Sequence, residues 1–249
     1  MMNYGCEGLN VVISGGTSGI GLAAAEKFLL CANVYLLGRS VWRGAMAVQK
    51  LLATKEHSAM YIPCDVTKVE DCRKALQSIG SNIHILVNAA GVYMEQRLEN
   101  VTEEDIANIF DTNVKGTMLL TQAALPFMYG GGSIVNIASD AGISGNYGCP
   151  VYCASKGAVV ALTKALALDY APNIRVNCVC PADVDTPLLR KQLEASNGGY
   201  TLSDMADAYP LGRVGRAEEI AHVICSVASL VNSFMTGSII PVDGGLTAK

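Results

Sequence analysis

The chain has 249 residues, 51% of them hydrophobic and 16% charged, which is enough for a sizeable core and too apolar for a disordered segment. A formal net charge of -4 with no run of Lys or Arg leaves nucleic-acid binding without electrostatic support. No basic-then-apolar opening suggests a signal peptide, and no unbroken apolar stretch of about eighteen residues implies a membrane span.

Residues 9–14 are the first of seven short apolar runs rich in Val and Ile. This run ends in Ser14-Gly15-Gly16-Thr17-Ser18-Gly19-Ile20-Gly21, and a helical pattern follows at 19–31. Glycines let the backbone turn sharply and approach a pyrophosphate, while the helix start offers free amides to its charge. The spacing Gly-x-x-x-Gly-x-Gly differs from the common Gly-x-Gly-x-x-Gly fingerprint, and a plain strand–helix turn would use the same residues. The second run, 33–37, ends at Gly38-Arg39-Ser40. Sheets that bind NAD usually carry an Asp or Glu here for the adenosine ribose. A carboxylate would repel a 2′-phosphate, whereas the Arg39 guanidinium would attract one. Arg39 therefore favours NADP(H), with NAD(H) possible; the bland alternative is a solvated residue after a strand.

Helical patterns at 42–56 and 69–79 flank the run 59–63, and the run 83–88 comes next. One long helical pattern, 102–128, leads to the run 133–138, and another, 152–170, to the run 174–179. Residues 181–216 contain Pro181, Pro187, Pro210 and Asn197-Gly198-Gly199 and show no clear strand. A long connection beyond a strand's C-terminal end is a candidate lid over a ligand site, or else a surface excursion of short helices. A helical pattern at 217–230 and a last run at 238–242 close the chain. Near-continuous apolar runs alternating with helices predict an α/β fold, a doubly wound sheet of seven mainly parallel strands, in one domain over residues 1–249.

Tyr152 and Lys156 lie one helical turn apart, on one face. An ammonium near a phenol favours the phenolate, giving an acid–base group usable near neutral pH. By itself the pair is common on ordinary amphipathic helices.

Taken together these motifs resemble the short-chain dehydrogenase/reductase family, in its single-domain branch of about 250 residues, over essentially the whole chain. The Gly15–Gly21 turn matches the family's cofactor turn, with Thr17, Ser18 and Ile20 inside it. Asp65-Val66 matches the adenine-contacting pair. Asn88-Ala89-Ala90-Gly91 matches Asn-Asn-Ala-Gly, with Ala89 in place of the second Asn. Asn113, Ser139, Tyr152 and Lys156 match the four catalytic positions in family order. The resemblance implies a Rossmann-type sheet with further cofactor contacts at Pro181, Val184 and Thr186, a homotetramer or homodimer, a cytoplasmic location and no metal. It also implies hydride transfer between NAD(P)(H) and a medium-sized ketone or secondary alcohol, such as a 3-oxoacyl, sugar or steroid compound. Tyr152 would pass the proton and Lys156 would lower its pKa. Ser139 would orient the carbonyl, and Asn113 would hold a relay water. The alternatives are an NAD-dependent polyol or hydroxysteroid-type dehydrogenase and a cofactor-binding sensor without turnover.

Two departures stand out. Ala182 replaces the Gly of the usual Pro-Gly, and Asp140 follows Ser139, either solvated or facing polar substrate groups. The substrate pocket is expected from 140–150, 92–98 and the lid, with Tyr93, Met94, Asn146, Tyr147, Leu188 and Leu189. The helix face of Ala158, Val159, Leu162, Ala165 and Leu166 suits an interface or the monomer's own core. Nine scattered Cys with no Cys-x-x-Cys, and three distant His, read as buried thiols rather than a metal set.

Overall fold

The computed structural model describes residues 4–52, 57–196 and 199–248. Its first strands, β1 (Asn10–Ser14), β2 (Asn33–Gly38) and β3 (Ala59–Pro63), alternate with α1 (Gly19–Phe28), α2 (Val41–Leu52) and α3 (Val69–Ile79). Strand β4 (Ile85–Asn88) leads to α4 (Glu103–Phe110) and α5 (Gly116–Ala124), and β5 (Gly132–Ile137) leads to α6 (Pro150–Tyr170). Next come β6 (Ile174–Pro181), β7 (Val184–Asp185), α7 (Pro187–Ala195), α8 (Leu202–Ala206), β8 (Gly215–Arg216), α9 (Ala217–Ala228) and β9 (Ile239–Val242).

The seven-stranded sheet runs β3-β2-β1-β4-β5-β6-β9, with every neighbouring pair parallel. The strand pleat explains why the runs are apolar throughout. Val11, Ile13, Ile85 and Val87 point to the side covered by α1, α2 and α9. Their neighbours Val12 and Leu86 point to the side covered by α3, α5 and α6. Both faces are buried, so alternate residues are equally apolar. The chain order reverses between β1 and β4, and the crevice above their C-terminal ends is where open α/β sheets bind ligands.

The long pattern at 102–128 is not one helix. A capping box between Thr102 and Asp105 starts α4. A π-turn at Asp111–Lys115 then interrupts the ladder before α5. The connection 181–216 contains strands after all, since β7 and β8 pair in parallel and tie the base of the lid together. The end of the 42–56 pattern, at 53–56, and Asn197-Gly198 lie outside the described residues.

Helix α6 has 21 residues, with an 18-residue window of mean hydropathy 1.4, and among the described residues it is the one helix that by length and composition alone could cross a bilayer. Lys156 and Lys164 still interrupt it, so it holds no unbroken apolar stretch, and its stripe of Val151, Ser155, Lys156, Val159, Thr163 and Ala167 is buried, as in a core helix. Val159 therefore belongs to the monomer's core. All nine Cys are free thiols. Cys178 and Cys180 share one face of β6, their sulfurs 3.7 Å apart.

Candidate active site

The C-terminal ends of β1, β4, β5 and β6 open into one cleft with about 1130 Å³ of empty space, its solvent mouth included. On one side is the glycine turn. Gly15 has a φ of +66°, and a Cβ there would lie 2.8 Å from the Ala89 carbonyl oxygen. A Cβ on Gly21 would collide with the Gly15 carbonyl. The turn thus packs backbone on backbone, and side chains at these positions would prevent it. Ser18 precedes α1 without a side-chain cap, and no acidic residue occupies the first turn. The first amides of α1 are therefore left for an anion, and nothing there repels one. A pyrophosphate fits this cradle. Ser14 fixes its far edge by accepting from the amides of Ala89 and Ala90, each at 3.1 Å.

On the other side, α6 brings in Tyr152 and Lys156. Lys156 is 5% exposed. Its ammonium donates to the Ile137 carbonyl at 2.9 Å and lies 5.8 Å from the Tyr152 ring centroid. Burial lowers the Lys156 pKa to about 8. The Tyr152 ring packs edge-on against Tyr93, with centroids 4.8 Å apart. The expected lowering of the Tyr152 pKa is not found. Burial pushes the phenol above its ordinary value, the Asp140 and Asp183 carboxylates add to this, and a hydrogen bond with Ser139 only partly offsets it. Spacing along a helix places a cation near a phenol but says nothing about desolvation, which dominates here.

Ser139 donates to Asp140 Oδ1 at 2.7 Å and accepts from the Ala141 amide at 3.2 Å. Asp140 is 4% exposed, so the solvated alternative is ruled out. Its Oδ2 accepts from the Asn146 amide at 3.1 Å.

Thirteen expected residues line the cleft: the turn's Gly15, Ser18, Gly19, Ile20 and Gly21, then Ala89 and Gly91, then Ser139, Tyr152 and Lys156, and lastly Pro181, Val184 and Thr186. The others do not. Asn88 is knit into the scaffold, its amide donating to Thr121 at 3.0 Å and to Asn136 at 2.8 Å. Asn136 in turn donates to Thr163 of α6 at 2.9 Å. Asn113 sits behind the cleft in the π-turn. Its side chain bonds both backbone groups of Val92 and donates to Ser155 at 3.1 Å. Val66 packs against the start of α5 at Gly116. Thr17 packs beside Gly38 at the end of β2, with exposed Arg39 next to it. Asp65 accepts from the Thr67 amide and hydroxyl. Burial opposes its ionisation, but these bonds and the Arg39 charge hold it below the usual carboxylate range.

Of the expected pocket residues, Tyr93, Asp140, Asn146, Leu188 and Leu189 line the cleft. Tyr147 is fully exposed and Met94 lies outside the lining. Ile137, Asp183 and Gln192 were not singled out in the sequence, yet all three line it. Asp183, a carboxylate just past the C-terminal end of a buried strand, carried a usable signal.

A family model described as enoyl-(acyl carrier protein) reductase matches residues 15–247. The 3-oxoacyl-(acyl-carrier-protein) reductase of Thermotoga maritima is 37% identical, over 96% of this chain and 98% of its own length. The meso-2,3-butanediol dehydrogenase of Serratia marcescens is 34% identical, over 96% of this chain and 94% of its own. The structure of L-sorbose reductase from Gluconobacter frateurii, complexed with NADPH and L-sorbose, superposes with a TM-score of 0.93 at 30% identity, all of each chain being covered. With a full-length match to such enzymes, a parallel sheet ending in a glycine cradle, and a Tyr–Lys pair facing it, this chain belongs to the short-chain dehydrogenase/reductase family and is an NAD(P)-dependent oxidoreductase acting on alcohols and ketones.

Proposed function

We propose that the protein is an NADP(H)-dependent ketoreductase or secondary-alcohol dehydrogenase with Tyr152 as its proton-transfer group. One observation supports this above the rest: Tyr152 and Ser139 share a cleft with the glycine cradle and the buried Lys156 ammonium. The chemistry that a nicotinamide cofactor would supply here is hydride transfer to the carbonyl carbon, or from the alcohol. Tyr152 gives its proton to the carbonyl oxygen during reduction and takes it back during oxidation. The nearby Lys156 ammonium stabilises the phenolate left behind. Ser139 sits against the Tyr152 oxygen and favours its deprotonated form. By turning its own O–H from Asp140 to the substrate oxygen, Ser139 shares the charge developing there. A Cβ on Gly91 would lie 3.4 Å from both Asn113 Oδ1 and Lys156 Nζ, so glycine keeps open a gap where a water can return protons to Lys156.

The cradle residues would hold the cofactor's phosphates, Lys156 its nicotinamide ribose, and Asp65 and Val66 its adenine. The preference for NADP(H) rests on Arg39, which is exposed beside the cradle and forms no ion pair among the described residues. The decisive experiment screens ketones with NADPH and NADH, and alcohols with NADP and NAD. An Arg39→Asp variant should raise KM for NADPH about tenfold or more and leave KM for NADH unchanged or lower. A native preference for NADH would refute the assignment.

A further inference from the structure

The substrate end of the cleft is crowded with acceptors. Asp140 and Asp183 both line it beside Tyr152, and Asp140 and Glu95 each lie within electrostatic reach of Asp183. Tyr209 holds Asp183 in place, donating to Oδ2 at 2.6 Å, while the Asp183 amide donates back to the Tyr209 oxygen at 3.1 Å. Among the described residues no side chain bonds Asp183 Oδ1. Glu95 is reached from the lid, by the Tyr200 hydroxyl at 2.7 Å and Gln192 at 3.4 Å. Among the described residues the only cation lining the cleft is Lys156, and its ammonium is turned to the Ile137 carbonyl.

Carboxylates held close together in a cleft repel one another, and burial pushes Asp183 above the usual carboxylate range. A ligand that donates hydrogen bonds relieves this repulsion. A ligand that brings another carboxylate or a phosphate adds to it, so the pocket discriminates by repulsion as well as attraction. Asp140 spends both oxygens on Ser139 and Asn146 and supplies field rather than a free acceptor. Asp183 Oδ1 remains for the ligand.

We propose that Asp183, backed by the charge of Asp140, makes this enzyme selective for small hydroxylated ketones and the matching diols and excludes anionic substrates. This rests on the hydride-transfer reading above and narrows its substrate class.

A matched series tests it: butan-2-one, 1-hydroxybutan-2-one and 2-oxobutanoate differ only at the carbon beside the carbonyl. With the full-length enzyme and NADPH, kcat/KM should be about tenfold or more higher for the hydroxyketone than for butan-2-one, and about tenfold or more lower for 2-oxobutanoate. In Asp183→Asn both ratios should shrink toward one. They are read within a single variant, so a general loss of activity cancels. The native ratios stand even if the variant fails to fold. Equal or faster turnover of 2-oxobutanoate by the native enzyme overturns the proposal, as does a folded Asp183→Asn enzyme with unchanged ratios. Failure to reduce any of the three, or any ketone of the wider panel, by an enzyme that binds NADPH refutes hydride transfer itself. Reduction of butan-2-one with no gain from the hydroxyl refutes only the selectivity.

Discussion

Replacing Tyr152 with Phe removes a single oxygen. That oxygen has at most one partner, Ser139, whose hydroxyl retains Asp140 and the Ala141 amide once it is gone. The ring keeps its edge-on packing against Tyr93 at 4.8 Å. Stability should therefore change by one net hydrogen bond, about 1 kcal/mol. In a chain of this size that moves Tm by about 2–4 °C. Losing a positioned acid–base group costs about 100- to 10,000-fold in rate, equivalent to about 2.7–5.5 kcal/mol. The two effects are far enough apart to separate in one set of measurements. Calorimetry gives Tm, fluorescence titration gives the NADPH Kd, and NADPH absorbance gives kcat. The expected outcome is a nearly native Tm and Kd with kcat reduced by at least about a hundredfold. A kcat within about threefold of native would refute the proton-transfer role. A fall in Tm of more than about 10 °C would show that the hydroxyl holds the structure together instead.

Gly21→Ala places a methyl group against the Gly15 carbonyl and forces the cradle apart. Isothermal titration should show NADPH binding weakened by about tenfold or more, and unchanged affinity would argue against a cradle role. Lys156, with its pKa lowered to about 8, is charged below that pH and neutral above it. The support it gives the Tyr152 phenolate should fade through about pH 8, visible as a limb in kcat/KM that moves to higher pH in Lys156→Arg. The unfolded chain holds this proton up to about pH 10.4, so stability should rise with pH between about 8 and 10.4, as chemical denaturation at a series of pH values can check. Leu168 is 82% exposed on α6 and is the residue we expect a homodimer or homotetramer to cover. Light scattering should give an oligomer for the native chain and a smaller species for Leu168→Arg.

The sheet was legible because a strand buried on both faces leaves an unmistakable apolar run, as at Ile85–Asn88. The glycine cradle and the Tyr–Lys pair were legible because each depends on local spacing. What stayed hidden depends on distant partners. The π-turn at Asp111–Lys115 has a helical composition, and what surrounds it is the bonding of Asn113 to Val92, twenty-one residues earlier, and to Ser155, forty-two later. Asn88 was expected at the cofactor because it opens the match to the family's Asn-Asn-Ala-Gly, yet its amide points to Asn136 on the neighbouring strand. Asp183 lacks a nearby partner in sequence, since the Tyr209 that holds it arrives from beyond two lid helices.

The chain of Asn88, Asn136 and Thr163 lies in a seam that apolar side chains could fill. Thr163 sits seven residues, or two turns, beyond Lys156 on the buried stripe of α6. A bond from a central strand to that point acts as a ruler, setting how far along its own axis the helix carries Tyr152 toward the cleft. Leucines pack well but slide, whereas a directed hydrogen bond does not. Thermal tolerance and turnover would then be set by separate demands on the same seam. A chain bred only for heat resistance would be expected to lose this polar line first, and its catalytic timing with it.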